Sequence, residues 1–328
     1  MSYPSGYPCQ QGTPTVVPAQ NHDPCEDAEK IKVAMESWLI NDVAITRVLS
    51  MRSREQRLHI AAVFKVLYGK DLIERFEKKL HFNFKKSVLA MMTPLPDFHA
   101  KELHDAITGT GKDDDALLEV LCSMSNQEIL AIRQAYHAMY HSNLENDIKG
   151  DTSGIFKRLM VSLCRACRDE NTPANQEEAT EDAQWLYDVG EKRILGTDES
   201  TFIRVFSHRS FTQLQLIFME YERISGHDIE EAIKSQFSGI SQLGFLAIVH
   251  NIKNQPLFFA KMLNKSMKGL GTRNRQLIRL MTTRCEIDME DIAREYEAKY
   301  GESLIDAIKG DCSGDYRRFM VALIRGPS

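Results

Sequence analysis

Apolar residues recur three and four positions apart along the chain from Ala28 onward, which is the spacing of one face of an α-helix. Few prolines interrupt this pattern, and no stretch alternates apolar and polar residues for long enough to predict a strand. The pattern therefore predicts an all-α protein. Residues 1–24 differ because they contain five prolines and few aliphatic side chains, and we expect them to form a flexible Pro/Gly-rich tail.

The helical pattern repeats itself four times. Ile40, Lys112, Thr197 and Thr272 mark equivalent positions, at intervals of 72, 85 and 75 residues. Positions farther along each copy carry the same class of side chain, as in Ile45, Leu117, Phe202 and Leu277 and again in Leu49, Leu121, Phe206 and Met281. A fixed register of this kind is typical of repeat proteins. In the fourth copy Pro256 opens a helix that Gly269 ends, and Ser303 can cap another helix. Signals of this kind predict five short helices in each copy.

The repeat boundaries follow from this register. We expect repeats at 25–96, 97–168, 181–253 and 254–328. The longest interval contains a polar segment, which predicts a linker at 169–180 and divides the chain into two halves of two repeats each. Several small cores agree with a length of 328 residues, because a single hydrophobic core rarely grows beyond about 250–300 residues.

The charge balance narrows the classes of function. The 41 Lys and Arg residues and 46 Asp and Glu residues give a formal net charge of −5. This value argues against a general nucleic-acid binder and, taken alone, against direct attraction to an acidic membrane. The chain has no apolar run long enough to span a bilayer, and its first residues lack the features of a secretory signal. Seven scattered cysteines in such a chain indicate reduced thiols and a cytoplasmic protein.

Two repeats carry a pair of alternate glycines followed by a carboxylate 40 residues after the second glycine. These residues are Gly109, Gly111 and Asp151 in repeat 2, and Gly269, Gly271 and Asp311 in repeat 4. Alternate glycines allow a tight turn that directs several backbone carbonyls inward. Carbonyls with one carboxylate form an all-oxygen site, which suits Ca²⁺ better than Mg²⁺. The alternative is that the glycines only end a helix, but the same spacing in two repeats favours the metal site.

The sequence resembles an annexin, most clearly in repeat 4, where the segment 267–272 together with Asp311 matches the family motif almost letter for letter. The resemblance covers residues 25–327. It implies four five-helix annexin repeats that form a slightly curved disc with calcium loops on the convex face. It also implies that repeats 1 and 4 pack as one module and repeats 2 and 3 as the other. It also implies calcium-dependent binding to membranes that contain acidic phospholipid such as phosphatidylserine. Such a protein would be cytoplasmic and would bind plasma or vesicle membranes peripherally when calcium rises.

The family pattern also implies a set of site residues. The calcium ligands would be the carbonyls of Ile107, Gly109 and Gly111 with Asp151 in repeat 2, and the carbonyls of Met267, Gly269 and Gly271 with Asp311 in repeat 4. Lys112 and Thr272 would stand near the lipid headgroup. Ca²⁺ would then be the cofactor, and it would supply the positive charge that an acidic chain needs to reach an acidic membrane.

Repeats 1 and 3 depart from the pattern. In repeat 1 the glycines are replaced by Ser37 and Leu39 and the acid by Lys79, which would repel the ion. In repeat 3 the loop is one residue longer and the acid is replaced by Gln236. We therefore predict no calcium in repeat 1 and an absent or weakened site in repeat 3.

Some loop tips are apolar rather than polar. Trp38 and Leu39 in repeat 1, and Leu270 in repeat 4, are candidates for entering the membrane interface, where tryptophan is favoured. Repeat 3 carries Ile194 and Leu195 at its tip. The alternative is that these tips fold inward and pack locally.

Other classes of function are weaker. The segment 109–112 fails the phosphate-loop pattern, because Ala106 and Asp113 stand where a glycine and a serine or threonine are required. No arrangement of a nucleophile and a base is visible, so we do not expect an enzyme. The main alternative function is a helical scaffold that binds a protein partner with reduced calcium dependence. The tail could also recruit a protein partner, and no nucleic acid is expected.

Overall fold

The computed structural model describes residues 12–38, 40–109, 113–191, 198–269 and 271–325. Within these ranges it contains twenty α-helices and no strand, which confirms the all-α prediction. The helices fall into four groups of five, in agreement with five helices in each repeat. No helix in the described ranges is long and apolar enough to cross a membrane.

Each repeat uses its helices in the same order. Repeat 1 contains α1 (Pro24–Glu36), α2 (Asp42–Ser50), α3 (Arg54–Tyr68), α4 (Leu72–Lys79) and α5 (Phe82–Met91). Repeat 2 contains α6 (Leu95–Thr108), α7 (Asp114–Leu121), α8 (Asn126–Tyr140), α9 (Leu144–Asp151) and α10 (Gly154–Cys164). Repeat 3 contains α11 (Gln176–Gly190), α12 (Glu199–His208), α13 (Phe211–Ser225), α14 (Ile229–Gln236) and α15 (Gly239–Lys253). Repeat 4 contains α16 (Gln255–Met267), α17 (Asn274–Arg284), α18 (Met289–Tyr300), α19 (Leu304–Asp311) and α20 (Gly314–Arg325).

Polar caps explain where many helices begin. Ser53 caps α3 and Ser125 caps α8 in full capping boxes, in which Gln56 and Glu128 bond back to the cap. Ser303 caps α19 through the amide of Asp306, as the sequence predicts. The predicted linker is shorter than expected because α11 already begins at Gln176. Asn175 caps this helix, and the two acidic residues that follow complement the helix dipole.

The helices group into two compact units. One unit contains Met1–Leu95 and Phe259–Ser328, and therefore repeats 1 and 4; the other contains Pro96–Phe258, and therefore repeats 2 and 3. The division that the polar linker suggested, between the first two and the last two repeats, is wrong. A polar segment marks a long connection, but the apolar helix faces decide which repeats pack together.

Each unit has its own core. In the unit of repeats 1 and 4, the rings of Phe84 and Phe319 meet edge to face at 5.7 Å, and the fully buried Arg57 donates to the carbonyls of Met91 and Leu49. In the unit of repeats 2 and 3, a cluster of aromatic rings lies between α12, α14 and α15 at centroid distances of 4.5–6.1 Å, formed by Phe202, Phe206, Phe237 and Phe245.

Residues 12–24 are bound to their unit, whereas the sequence predicts a flexible tail over 1–24; residues 1–11 lie outside the described residues. The amides of Thr15 and Val16 both donate to the carbonyl of Cys285 at 2.9 Å, and Val16 is only 1% exposed. Ala19 exchanges two hydrogen bonds with the side chain of Gln56. The prolines remove some donors, but the amides between them find acceptors on the unit, and composition alone does not reveal such acceptors.

Candidate metal centre

The loop between α16 and α17 has a backbone shape that requires glycine. Gly269 has φ +126° and Gly271 has φ +93°, a region that other residues rarely adopt. The amide of Gly271 donates to the carbonyl of Gly269 at 3.1 Å, and the amide of Arg273 donates to the carbonyl of Ser266 at 2.7 Å. These bonds close a compact turn directly after the end of α16.

Two carbonyls of this loop are not used by the backbone of the turn. Among the backbone–backbone bonds of the described residues outside the helices, none ends on the carbonyl of Met267 or on that of Gly271. The carbonyl of Gly269 accepts one bond and keeps its second lone pair. Carbonyl oxygens in this state can act as metal ligands.

Asp311 supplies the carboxylate. It is the last residue of α19, and the hydroxyl of Thr272 donates to its backbone carbonyl at 3.5 Å, which brings the glycine loop next to the end of this helix. Its Oδ2 atom is buried and has no hydrogen-bond partner among the described residues. A buried carboxylate oxygen without a partner is unfavourable, so this atom fits a site that holds a cation.

The donor set determines which cation fits. Within the ranges that the structure describes, no group of three or more His, Cys, Asp or Glu side chains is suited to hold a metal. A metal at Asp311 can use the backbone carbonyls of the adjacent glycine loop as further ligands. Hard oxygen donors in an irregular arrangement match Ca²⁺.

Repeat 2 shows the same elements in part. The helix α6 ends at Thr108, the amide of Gly109 donates to the carbonyl of Asp105 at 3.0 Å, and Asp151 ends α9. Ile107 lies in the last turn of α6. Several predicted site residues lie outside the described residues, namely Gly111 and Lys112 here, Leu39 in repeat 1, Ile194 and Leu195 in repeat 3, and Leu270 in repeat 4.

Repeat 1 replaces the carboxylate with an ammonium group. The Nζ atom of Lys79, the last residue of α4, donates to the carbonyl of Met35 at 3.0 Å. Met35 and Lys79 are equivalent to Met267 and Asp311 in the repeat register. The Trp38 side chain, at the tip of the same loop, is 98% exposed, so it does not pack inward. Whether it enters a membrane stays a prediction.

Phe82 is a residue that the sequence analysis missed. It has φ +50° and its side chain is 87% exposed. The equivalent residues in the other repeats are glycines with φ between +59° and +60°, namely Gly154, Gly239 and Gly314. The signal was present in the register, because a phenylalanine replaces glycine at a position where every repeat needs a left-handed backbone.

Repeat 3 offers an amide in place of the carboxylate. Gln236 ends α14, as Asp311 ends α19. The segment 192–197, which contains most of the predicted loop, lies outside the described residues. Just before it, Glu191 pairs with His227 at 3.1 Å, and this hydrogen bond raises the pKa of the His227 imidazole.

Comparison with known proteins places these features in a family. The annexin family model matches residues 26–91, 98–163, 181–248 and 258–323. Human annexin A11 is 44% identical over 312 residues, which are 95% of this chain and 62% of the length of annexin A11. The structure of annexin III aligns with a TM-score of 0.93 at 37% identity, covering 96% of this chain and 98% of annexin III. That of calcium-bound annexin (Sm)1 aligns with a TM-score of 0.87 at 31% identity, covering 95% and 93%.

The four matches show that the chain belongs to the annexin family. Annexins are known for calcium-dependent binding to phospholipid membranes and are generally not enzymes. The chain spans less than two thirds of the length of annexin A11, so the properties of that whole protein are not carried over.

Proposed function

We propose that the chain binds acidic phospholipid membranes peripherally and reversibly in response to calcium. The observation that carries this proposal is the buried Oδ2 atom of Asp311, which has no hydrogen-bond partner among the described residues and lies at the helix end next to the glycine loop. A membrane-binding function also gives the net charge of −5 a role. An acidic chain is repelled by an acidic membrane unless a cation is bound between them.

The proposed ligands are those that the family pattern implies. They are the carbonyls of Met267, Gly269 and Gly271 with the carboxylate of Asp311, and in repeat 2 the carbonyls of Ile107, Gly109 and Gly111 with Asp151. Bound Ca²⁺ would supply local positive charge and open coordination positions for the phosphate oxygens of lipid. Thr272 and Lys112 would contact the headgroup, and each compact unit would keep one calcium site.

The proposal also includes the lipid, the cellular location and the loop tips that contact the membrane. Phosphatidylserine is the expected acidic lipid, and the cytoplasm is the expected location, with reversible binding to plasma or vesicle membranes. Trp38, Leu39 and Leu270 would enter the membrane interface.

Replacement of both acids tests the site assignment. Asp311→Asn should weaken calcium binding about tenfold or more, because even outer residues of metal sites are worth 10–100-fold. The double variant with Asp151→Asn should lose calcium-dependent sedimentation with phosphatidylserine vesicles. Asp306→Asn is the matched control, since Asp306 is an exposed acid of the same helix that bonds to Lys309 and Ser303. Sedimentation of the double variant at the level of the control would refute the assignment.

A scaffold that binds a protein partner is the second candidate function. The replacement of the repeat 1 acid by Lys79 favours it, because one site has lost its calcium ligand altogether. On this view vesicle sedimentation would be absent, or equal with calcium and with a chelator. A protein partner for the tail belongs to the same alternative, and pull-down with residues 1–24 as bait tests it.

A further inference from the structure

Repeat 1 keeps the positions of a calcium site, but Ser37, Leu39 and Lys79 replace the two glycines and the acid. We propose that this converted site is a membrane contact that needs no calcium ion, in which Lys79 holds the loop and Trp38 and Phe82 enter the interface of an acidic bilayer. The inference rests on the proposed function only for which side of the unit faces the membrane. The interactions that form the repeat 1 contact differ from those at the calcium sites, because no metal ion takes part in them.

The ammonium group of Lys79 takes the place that a bound metal ion would have in repeat 4. Its ammonium group donates to the carbonyl of Met35, which is equivalent to the proposed ligand Met267. A positive charge thus meets the first carbonyl of the loop, but it is attached to the chain and is always present. The loop is closed further by the amide of Asn41, which donates to the carbonyl of Ala34 at 2.9 Å.

Phe82 adds a second aromatic side chain at the expense of backbone strain. A left-handed backbone at φ +50° is unfavourable for a bulky residue, and the other three repeats avoid it with glycine. Burial does not compensate for the strain, because the ring is 87% exposed. An exposed aromatic ring on a strained backbone indicates a binding role rather than a packing role.

The converted site is continuous with the calcium site of repeat 4. Phe82, Lys79 and Ile40 line a depression of about 480 Å³ together with Ser313 and Asp315. Ser313 lies two residues after Asp311, and both repeats belong to one compact unit. A membrane that reaches the calcium site of repeat 4 therefore also reaches the rim of this depression.

The charges favour an acidic bilayer as the occupant. From Lys78 to Lys86 the chain carries four lysines and no acid. Asp42 and Asp315 lie inside the depression, and Glu74 is already paired with Lys78. Basic side chains around exposed aromatic rings match a surface of acidic headgroups above an apolar layer, and tryptophan is enriched at that boundary.

Tryptophan fluorescence can report on this contact alone. The chain has two tryptophans, so Trp185→Phe leaves Trp38 as the only reporter. With vesicles of phosphatidylserine and brominated phosphatidylcholine at roughly millimolar lipid, a concentration suited to a weak contact, we expect Trp38 emission to fall about twofold in the presence of a calcium chelator. The same quenching should persist after Asp151→Asn and Asp311→Asn. Quenching that requires calcium, or no quenching, would overturn the inference.

The outcomes separate this inference from the proposed function. Calcium-dependent sedimentation without any quenching of Trp38 would leave the calcium sites standing and refute the repeat 1 contact. Quenching in the chelator without calcium-dependent sedimentation would refute the calcium sites and leave the repeat 1 contact standing.

Two sets of variants test the individual residues. Lys79→Met should weaken the lipid affinity of Trp38 about threefold and speed hydrogen exchange at residues 35–41, with an unchanged melting temperature. Lys79→Arg should preserve both, and Lys78→Met is the matched control. Phe82→Gly should raise the melting temperature, because it relieves the strain, and at the same time lower lipid affinity severalfold. Unchanged lipid affinity in both Lys79→Met and Phe82→Gly would contradict the proposal.

Discussion

Asp42 is a carboxyl group whose environment opposes its charge. Partial burial and the nearby carboxylate of Asp315 raise its pKa to about 6, while Arg318 and His81 act in the opposite direction. The pKa in the folded state therefore lies above the ordinary value of 3.8. The folded state binds this proton more tightly than the unfolded state does. Protonation of Asp42 therefore stabilises the folded state fully below about pH 4, and this stabilisation is lost as the pH rises through about 6.

The Asp42→Asn variant should reveal this dependence. At pH 7.5 we expect it to be more stable than the parent by roughly 1 kcal/mol, a value reduced for the partial exposure of the side chain. The difference should disappear at about pH 3 and below, where Asp42 is mostly protonated in both states. Urea unfolding at the two pH values measures it. Asp306→Asn should behave in the opposite way, because hydrogen bonds from Ser303 and Lys309 lower the pKa of Asp306; a gain for both variants would contradict the argument.

Single residues differ in how well the sequence predicts them. Asp311 is predicted as a ligand because a spacing of 40 residues from a glycine pair occurs twice, and the structure brings it next to that loop. The sequence shows that Lys79 replaces the acid in repeat 1, but its bond to Met35 depends on how α4 ends against the loop. Phe82 was missed because a lone aromatic residue is ordinary until it is aligned with three glycines.

At the level of an element, Gly12 determines where the N-terminal segment lies against its unit. Gly12 approaches the start of α18 so closely that a Cβ atom would lie 2.6 Å from Cβ of Asp288 and 2.7 Å from the carbonyl oxygen of Ile287. The next residue is held through Asp291, whose Oδ2 accepts from the amide of Thr13 at 2.6 Å. The segment can lie in this position only if residue 12 has no side chain.

Gly12→Ala should therefore detach the segment. We expect faster hydrogen exchange at the amides of Thr15 and Val16, which bond to Cys285, and a loss of about 1–2 kcal/mol, typical of overpacking. Gly310→Ala is a suitable control in the same unit, because a Cβ atom added there would have no other atom within 4 Å. Equal exchange rates in the two variants would show that the contact of Gly12 does not hold the segment.

Helices were predicted more reliably than this segment because their signals are local. Pro256 and Gly269 bracket α16, and Ser303 caps α19, as their side chains dictate. The N-terminal segment has no regular periodicity, and the bonds of Thr13, Thr15 and Val16 go to residues more than 250 positions away. Long-range acceptors cannot be read from a proline-rich composition, which is why the segment was expected to be flexible.

At the scale of the whole molecule, the pairing of repeats came from the family resemblance rather than from the linker. The polar segment suggested that consecutive repeats belong together, whereas repeats 1 and 4 form one unit and repeats 2 and 3 the other. Buried contacts such as the hydrogen bond from Arg57 to Glu286 join the first and last repeats across 229 positions. Interactions over such distances carry no local signal in the sequence.

The net charge of −5 yields a prediction about the intact protein. If calcium joins this acidic chain to acidic lipid, then calcium and lipid must strengthen each other's binding by the same factor. Raising phosphatidylserine from about 10% to about 40% of the vesicle should lower the calcium midpoint for sedimentation severalfold. The double variant of Asp151 and Asp311 should show no such shift. A chelator should release the parent protein from vesicles at lipid concentrations well below the roughly millimolar level at which the repeat 1 contact binds. If the calcium midpoint does not change with the phosphatidylserine content, calcium binds to the protein alone. The carbonyls of the glycine loops would then form a closed calcium site in which lipid supplies no ligand.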